Sequence, residues 1–268
     1  MSNDAFPLDA FLERVGYSGS LAATEDVLEA FQRALLERIP FENFDILLGR
    51  GISLEPVALF EKLIDSPRGG YCFELNGLLL MALRCIGFEV RELLARVHTS
   101  GHPTGRTHEI ILVTFGRRRW IADAGFGGPS LRAPIPMEFD VVRAQESDMF
   151  RLVVAGSFGT MLQKQSEGEW RDLYSFDVGH VCQADIELGN HFTSTSSLSR
   201  FTHAPLAALH TTAGKTTLHD RTLRCIDDGV ETALELNDGA AYLAALKTHF
   251  GIELDASGED LRALGVLG

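Results

Sequence analysis

The densest chemical signal in the chain is Pro67-Arg68-Gly69-Gly70-Tyr71-Cys72-Phe73-Glu74-Leu75-Asn76. Two glycines close a tight loop, and a cysteine follows where the apolar spacing starts a helix. Unpaired N–H groups and the positive end of a helix favour a thiolate there, and the thiolate is the nucleophile. The position alone would equally suit a small buried apolar residue. Cys85, Cys182 and Cys225 follow no such loop and read as packing or incidental residues. A nucleophilic cysteine needs a base, and the base needs an orienting group. His108 opens the apolar segment His108 to Val113, and Asp123 closes Trp120-Ile121-Ala122-Asp123. With Gly116 to Arg119 as a hairpin loop, these segments are antiparallel neighbours, and His108 and Asp123 both lie remote from the turn. Their distances from the loop are unequal, so a bulge or strands of different length must close the gap. An acid flanked by apolar residues wants a buried cationic or N–H partner. On the other side, His108 is one of nine histidines, and Asp123 would also serve as a turn cap before Gly125. His98, His102 and His108 are separated by loop residues with no cysteine or carboxylate completing a set, so no metal site is read here.

The elements that must hold these groups follow from periodicity. Leu8, Phe11, Leu12 and Val15 mark a helix stopped at Gly16, and Thr24 caps a second that ends before Pro40. Pro56 starts a third, with Val57, Phe60, Leu63 and Ile64 on one face. A fourth runs from about Cys72 to Ile86 with Gly87 behind it. From Phe88 the period changes. Val90–Val97, Glu109–Phe115, Trp120–Ala122, Met149–Val154, Met161–Gln165 and Trp170–Phe176 read as strands. Phe192–Phe201, rich in Ser and Thr, suits an extended or looping segment. Leu209–Thr212, Thr217–Leu218 and Leu223–Ile226 read as strands. Asp238 caps a helix to about Phe250, and a short one follows Ser257.

Composition bounds the function. The chain has 268 residues, 24 Lys and Arg against 37 Asp and Glu, and a formal net charge of −13. That balance argues against nucleic-acid or anionic-membrane partners. The apolar run Leu78–Leu83 is far short of the roughly 20 residues that span a bilayer, and Met1–Pro7 has no basic region or long apolar run of a signal peptide. Sparse cysteines and no C-x-x-C pair point to a cytoplasmic protein with reduced thiols.

Several ordered blocks together resemble the arylamine N-acetyltransferase family: Ile39-Pro40-Phe41-Glu42-Asn43-Phe44-Asp45, Arg68 to Asn76, Thr104-Gly105-Arg106-Thr107-His108, Asp123-Ala124-Gly125-Phe126-Gly127, and Asn190 to Phe201 with Ser197 where a proline is expected. The resemblance implies a mixed α+β fold around a cysteine-protease-like Cys-His-Asp core. Its parts would be a helical bundle (1–87) carrying the nucleophile, a β-barrel (88–190) carrying His and Asp, and an α/β lid (191–268). It implies a triad of Cys72, His108 and Asp123. Phe126, Phe41, Phe192 and Phe201 would line the acceptor pocket, and Thr104, Gly105, Gly127 and Gly128 would lie near the cosubstrate. It implies acetyl transfer from acetyl-CoA to an arylamine or arylhydrazine by ping-pong chemistry, with no metal. Backbone N–H groups at Cys72 and around Gly69-Gly70 would hold the oxyanion. Glu42 and Arg68 are expected to form a buried pair fixing the loop before Cys72, while Arg117, Arg118 and Arg119 read as a solvated hairpin tip rather than as contacts to CoA phosphates. The alternatives are an amide synthase that closes a macrolactam with the same triad, a cysteine peptidase or transglutaminase-like enzyme, and a non-enzymatic module. The intact triad opposes the last, and the Arg-Gly-Gly and Ile-Pro-Phe-Glu-Asn blocks oppose the peptidase. The sequence leaves room for a homo-oligomer.

Overall fold

The computed structural model describes residues 6–265, so most of the segment read for a signal peptide, Met1–Ala5, lies outside the described residues. The N-terminal apolar faces fold as α1 (Leu8–Val15), α2 (Glu25–Arg38), α3 (Phe44–Leu47), α4 (Pro56–Phe60) and α5 (Cys72–Cys85). Thr24 caps α2 by accepting from the Val27 N–H at 3.4 Å. The single helix expected after Pro56 is instead α4 continued by a π-helical turn, Glu61–Asp65. Such turns concentrate at functional positions, and this one carries Lys62 into the network described below. Phe11, Phe31, Leu35, Leu78, Leu79 and Leu83 form the bundle core.

The next strands are β2 (Glu89–Val97), β3 (Arg106–Phe115), β4 (Arg118–Ala122), β5 (Ile135–Pro136), β6 (Arg143–Gln145), β7 (Asp148–Val154), β8 (Thr160–Ser166) and β9 (Glu169–Phe176), preceded by the short β1 (Phe41–Glu42). They pair antiparallel in the order β5-β4-β3-β2-β9-β8-β7-β6. The sheet curls into a nearly closed barrel, and a side chain of β6 ties that end to the segment just before β5. Gln145 accepts from the Arg132 N–H at 2.7 Å and donates to the Ala133 carbonyl at 2.8 Å. Both faces of β3 are buried. Ile110 and Leu112 point into the barrel with Phe150, Leu152 and Leu162, and Ile111 and Val113 join the helical core. That explains a continuous apolar run where a half-exposed strand would alternate.

Residues 183–195 form α6 (Gln183–Thr195). The expected boundary at 190 falls inside this helix, and the segment from Phe192 expected to be extended is helical as far as Thr195. Ser and Thr here satisfy themselves within the helix: Thr193 Oγ1 and Ser194 Oγ donate to the carbonyls of Gly189 and Asn190 at 2.7 and 2.8 Å. The last part is an antiparallel meander, β10 (Leu206–Thr211), β11 (Gly214–His219), β12 (Thr222–Asp227) and β13 (Val230–Glu235), packed on α7 (Gly239–Phe250) and α8 (Gly258–Ala263). Strand β13 was not anticipated, because every residue of it is exposed and it shows no apolar face. β1 pairs with β10, so the N-terminal part supplies the edge strand of the C-terminal sheet. Asn43 sews this junction: its amide donates to the Phe201 and Ala204 carbonyls at 2.8 and 2.9 Å and accepts from the Leu206 N–H at 2.7 Å. Among the described residues no helix is long and apolar enough to cross a membrane.

Candidate active site

Cys72 is the first residue of α5 and is 2% exposed. The loop before it is fixed by a chain of charges that the solvent hardly reaches. Arg68 gives Nε and Nη2 to one oxygen of Glu42 at 3.0 and 2.7 Å, and Nη2 also meets Asp45 at 2.9 Å. Lys62 joins Asp45 at 2.7 Å to Glu74 at 2.8 Å. Glu74 accepts from the Tyr71 N–H at 3.0 Å, which holds the residue before the cysteine. The expected Glu42–Arg68 pair is present, and Asp45, Lys62 and Glu74 extend it to the helix terminus. Burial alone would discharge Lys62, but Glu74, Glu42 and Asp45 outweigh it and keep the ammonium charged.

His108 and Asp123 are brought together as the sequence required. The turn is tighter than expected: Phe115 pairs with Arg118, so only Gly116 and Arg117 form it, and Arg118 and Arg119 belong to β4. The longer β4 carries Asp123 back toward His108, and Asp123 Oδ2 meets His108 Nε2 at 2.8 Å. Asp123 Oδ1 accepts from Asn76 Nδ2 at 3.0 Å and from the Gly125 N–H at 2.9 Å. Burial pushes this carboxyl up, yet the His108 charge and these hydrogen bonds outweigh it and hold it below the ordinary carboxylate range. Asn76, one helical turn after Cys72, also donates to the Glu109 carbonyl at 2.6 Å and accepts from the Ala124 N–H at 2.8 Å. It therefore locks the helix of the cysteine to both strands of the pair. Gln32 on α2 accepts from the Asp123 N–H at 3.0 Å. Asn76 and Gln32 were not singled out from sequence. The Cys72–Asn76 spacing, which puts both on one helical face, was the available signal.

Cys72 Sγ lies 3.9 Å from the carbonyl of Thr107, the residue before His108. The thiol pKa is pushed well above its usual value, against the pull of the helix terminus toward a thiolate. Burial is the main cause; Asp123, and Glu109 whenever it is ionised, add to it, and the opposing N–H groups of Glu109 and Phe73 do not compensate. The expected oxyanion donor at Gly70 is also lost, because its N–H is given to the Pro40 carbonyl at 3.1 Å. Two glycines are set by close approach. A Cβ on Gly125 would lie 2.7 Å from Cys72 Cα, and one on Gly127 would lie 2.8 Å from the Phe41 ring. The space at Gly127 is therefore filled by Phe41, whereas around Gly128 no atom would lie within 4 Å of a Cβ.

The aromatic residues fall into two groups. Phe126 and the unanticipated Tyr174 each place a ring centroid 5.1 Å from His108. Phe41, Phe201 and Tyr71 form a second chain, with centroids 5.9 and 6.0 Å apart. Phe192 joins neither among the described residues and is itself 42% exposed. Thr104 is tied to the end of β2, its hydroxyl accepting from the Val97 N–H at 2.9 Å, and Gly105 follows it in an exposed loop. His98 bonds Ser175 at 2.8 Å rather than converging with His108. Among the described residues no three His, Cys, Asp or Glu side chains converge on a metal position.

Glu109 is a buried carboxyl on the α5 side of β3. Burial and the charge of Glu92 hold it protonated well above the usual range, against the weaker pull of Arg84. Its folded pKa exceeds its unfolded one, so its contribution is retained below about pH 4.5 and lost as pH rises through the folded value. Glu109→Gln is therefore expected to raise the melting temperature at pH 8 and to leave it nearly unchanged at pH 4.5. Parallel melting-temperature profiles for the two proteins would contradict the protonated state.

A buried acid-oriented histidine, whose preceding residue approaches the sulfur of a helix-terminal cysteine, is an arrangement that thiol acyl transfer can use. The N-acetyltransferase family profile matches residues 24–258. An arylamine N-acetyltransferase of Escherichia coli is 37% identical over 92% of this chain and 89% of its own. The solved arylamine N-acetyltransferase of Salmonella typhimurium superposes with a TM-score of 0.91 at 35% identity, over 97% of both chains. That of Mycobacterium marinum in complex with CoA gives 0.90 at 33% identity, over 97% of this chain and all of its own. The chain belongs to the arylamine N-acetyltransferase family.

Proposed function

We propose that this chain transfers the acetyl group of acetyl-CoA to the nitrogen of arylamines and arylhydrazines through an acetyl-Cys72 intermediate. The observation that carries this reading is the buried His108–Asp123 hydrogen bond at 2.8 Å, on the strand whose Thr107 carbonyl lies 3.9 Å from the sulfur of the helix-terminal Cys72. Asp123 accepts from His108 Nε2–H and leaves Nδ1 as the ring atom able to take a proton. Since burial opposes a lone thiolate, Cys72 gives its proton to Nδ1 and exists as a thiolate beside an imidazolium. The thiolate attacks the thioester carbonyl, the C–S bond to CoA breaks as the new one forms, and the departing CoA sulfur takes the proton from His108, which returns to the neutral base. Exchange of one thioester for another is close to thermoneutral. The amine then attacks the acetyl carbonyl, His108 removes its proton, and Cys72 leaves as thiolate. Arylamines suit the second step because they are neutral near pH 7 and keep the lone pair.

Phe126 over His108, with Phe41 and Phe201 beyond Gly127, supports an acceptor pocket with aromatic walls. Open space at Gly128 supports its place near the cosubstrate, and Thr104 with Gly105 is the exposed loop nearest that reading. Glu42 and Arg68 act as positioning residues. With the Gly70 N–H given to Pro40, the Cys72 N–H is the donor left for the oxyanion. The four cysteines are free, which suits a reducing cytoplasm, where CoA thioesters are also available. Without acceptor, CoA release should stop after one equivalent per chain, and an arylhydrazine should restore turnover with parallel double-reciprocal plots. Intersecting plots without a burst would overturn the acetyl-enzyme route.

A further inference from the structure

A groove of about 770 Å³ lies at the β3–β4 turn, seven residues along β3 from His108, or roughly 23 Å. Its lining mixes Trp120, Pro136, Met137 and Phe139 with four glutamates and five arginines. Three of its five arginines are already paired: Arg33 with Glu29 and Glu146, Arg118 with Glu25, and Arg143 with Glu138. Arg117 and Arg119 have no carboxylate partner among the described residues, and they also border a depression of about 530 Å³ on the other side of the turn, beside Arg91. Two further donors at the groove, Trp120 Nε1 and Arg143 Nε, are buried without any acceptor. In a chain of net charge −13, this concentrates unmatched cations and unmatched N–H groups beside Trp120 and Phe139. The volume lies in the range of small-ligand sites.

We propose that this groove is a second ligand site, separate from Cys72, for an aryl carboxylate. The ring packs on Trp120 and Met137, and the carboxylate lies at the Arg117–Arg119 rim. Guanidinium groups suit carboxylates because their N–H donors match the two oxygens. The unmatched donors, rather than the concavity alone, select an anion.

The chain has two tryptophans, and Trp170 lies elsewhere, under Arg151 with the guanidinium 4.2 Å from its ring centroid. In a Trp170→Phe chain, Trp120 alone reports. Titration with 4-nitrobenzoate should quench its fluorescence saturably. The neutral 4-nitrobenzamide should bind at least about fivefold more weakly, as should 4-nitrobenzoate to the Arg117→Ala/Arg119→Ala variant. Cys72→Ala should leave the titration unchanged, and the double arginine variant should keep its melting temperature and acetyl-transfer rate. Equal, non-saturating quenching by both compounds would overturn the proposal. So would quenching by 4-nitrobenzoate that the arginine variant retains or that Cys72→Ala removes. The readout is independent of acetyl transfer, so failure here leaves the catalytic reading untouched.

Discussion

Asp123→Asn is expected to lower kcat by roughly 10⁴ while leaving the fold intact. The argument rests on which atoms surround the carboxyl. Both groups at Oδ1, the Asn76 amide and the Gly125 N–H, are donors. An asparagine would keep its carbonyl oxygen there and turn its NH₂ toward His108 Nε2. That nitrogen would then have to accept, and the ring proton would move to Nδ1. The histidine could no longer take the proton of Cys72, and burial raises the thiol's own pKa well above its usual value. Steady-state kinetics beside a thermal melt separate the effects. A loss of less than about tenfold would mean that Asp123 only fills space. Thiol alkylation near neutral pH should fall in parallel, since it reads the same thiolate.

Arg68→Met should destabilise the chain by about 3–5 kcal/mol, the usual consequence of leaving a buried charge uncompensated. Glu42 has a fully buried carboxylate, and its second oxygen accepts from the Phe44 N–H at 2.8 Å. Without Arg68 that carboxylate loses its ion-pair partner, while Asp45 keeps Lys62, which Glu74 already shares, and Arg50 at 3.8 Å. Arg68→Lys should recover little, since Nε and Nη2 both serve Glu42 and a single ammonium cannot reproduce the fork. Urea unfolding measures this directly. A loss below about 1 kcal/mol would assign the network the weight of surface ion pairs.

Much of this site was legible because its parts obey local rules. The glycine loop, the start of α5 and the apolar strands around His108 and Asp123 each carry a short-range signal. The resemblance then tied them together in order. What escaped depends on three-dimensional placement. Lys62 reaches Asp45 and Glu74 only because the helix after Pro56 widens into a π turn, and no periodicity marks that. The two-residue turn at Gly116-Arg117 was hidden because arginines extend a strand as readily as they decorate a loop. The helix through Phe192 was masked by Ser and Thr, whose hydroxyls compete with the helix in isolation but here bond back onto it. The raised thiol of Cys72 was likewise invisible, since desolvation is set by the strands and helices that close around it.

The account rests on Cys72, and intact-protein mass after incubation with acetyl-CoA alone tests it most directly. The account predicts one acetyl adduct per chain. It should be absent from Cys72→Ala and removed by an arylhydrazine with release of the acetylated product. A folded wild-type chain that gains no adduct, or a Cys72→Ala chain that gains the same one, would contradict it.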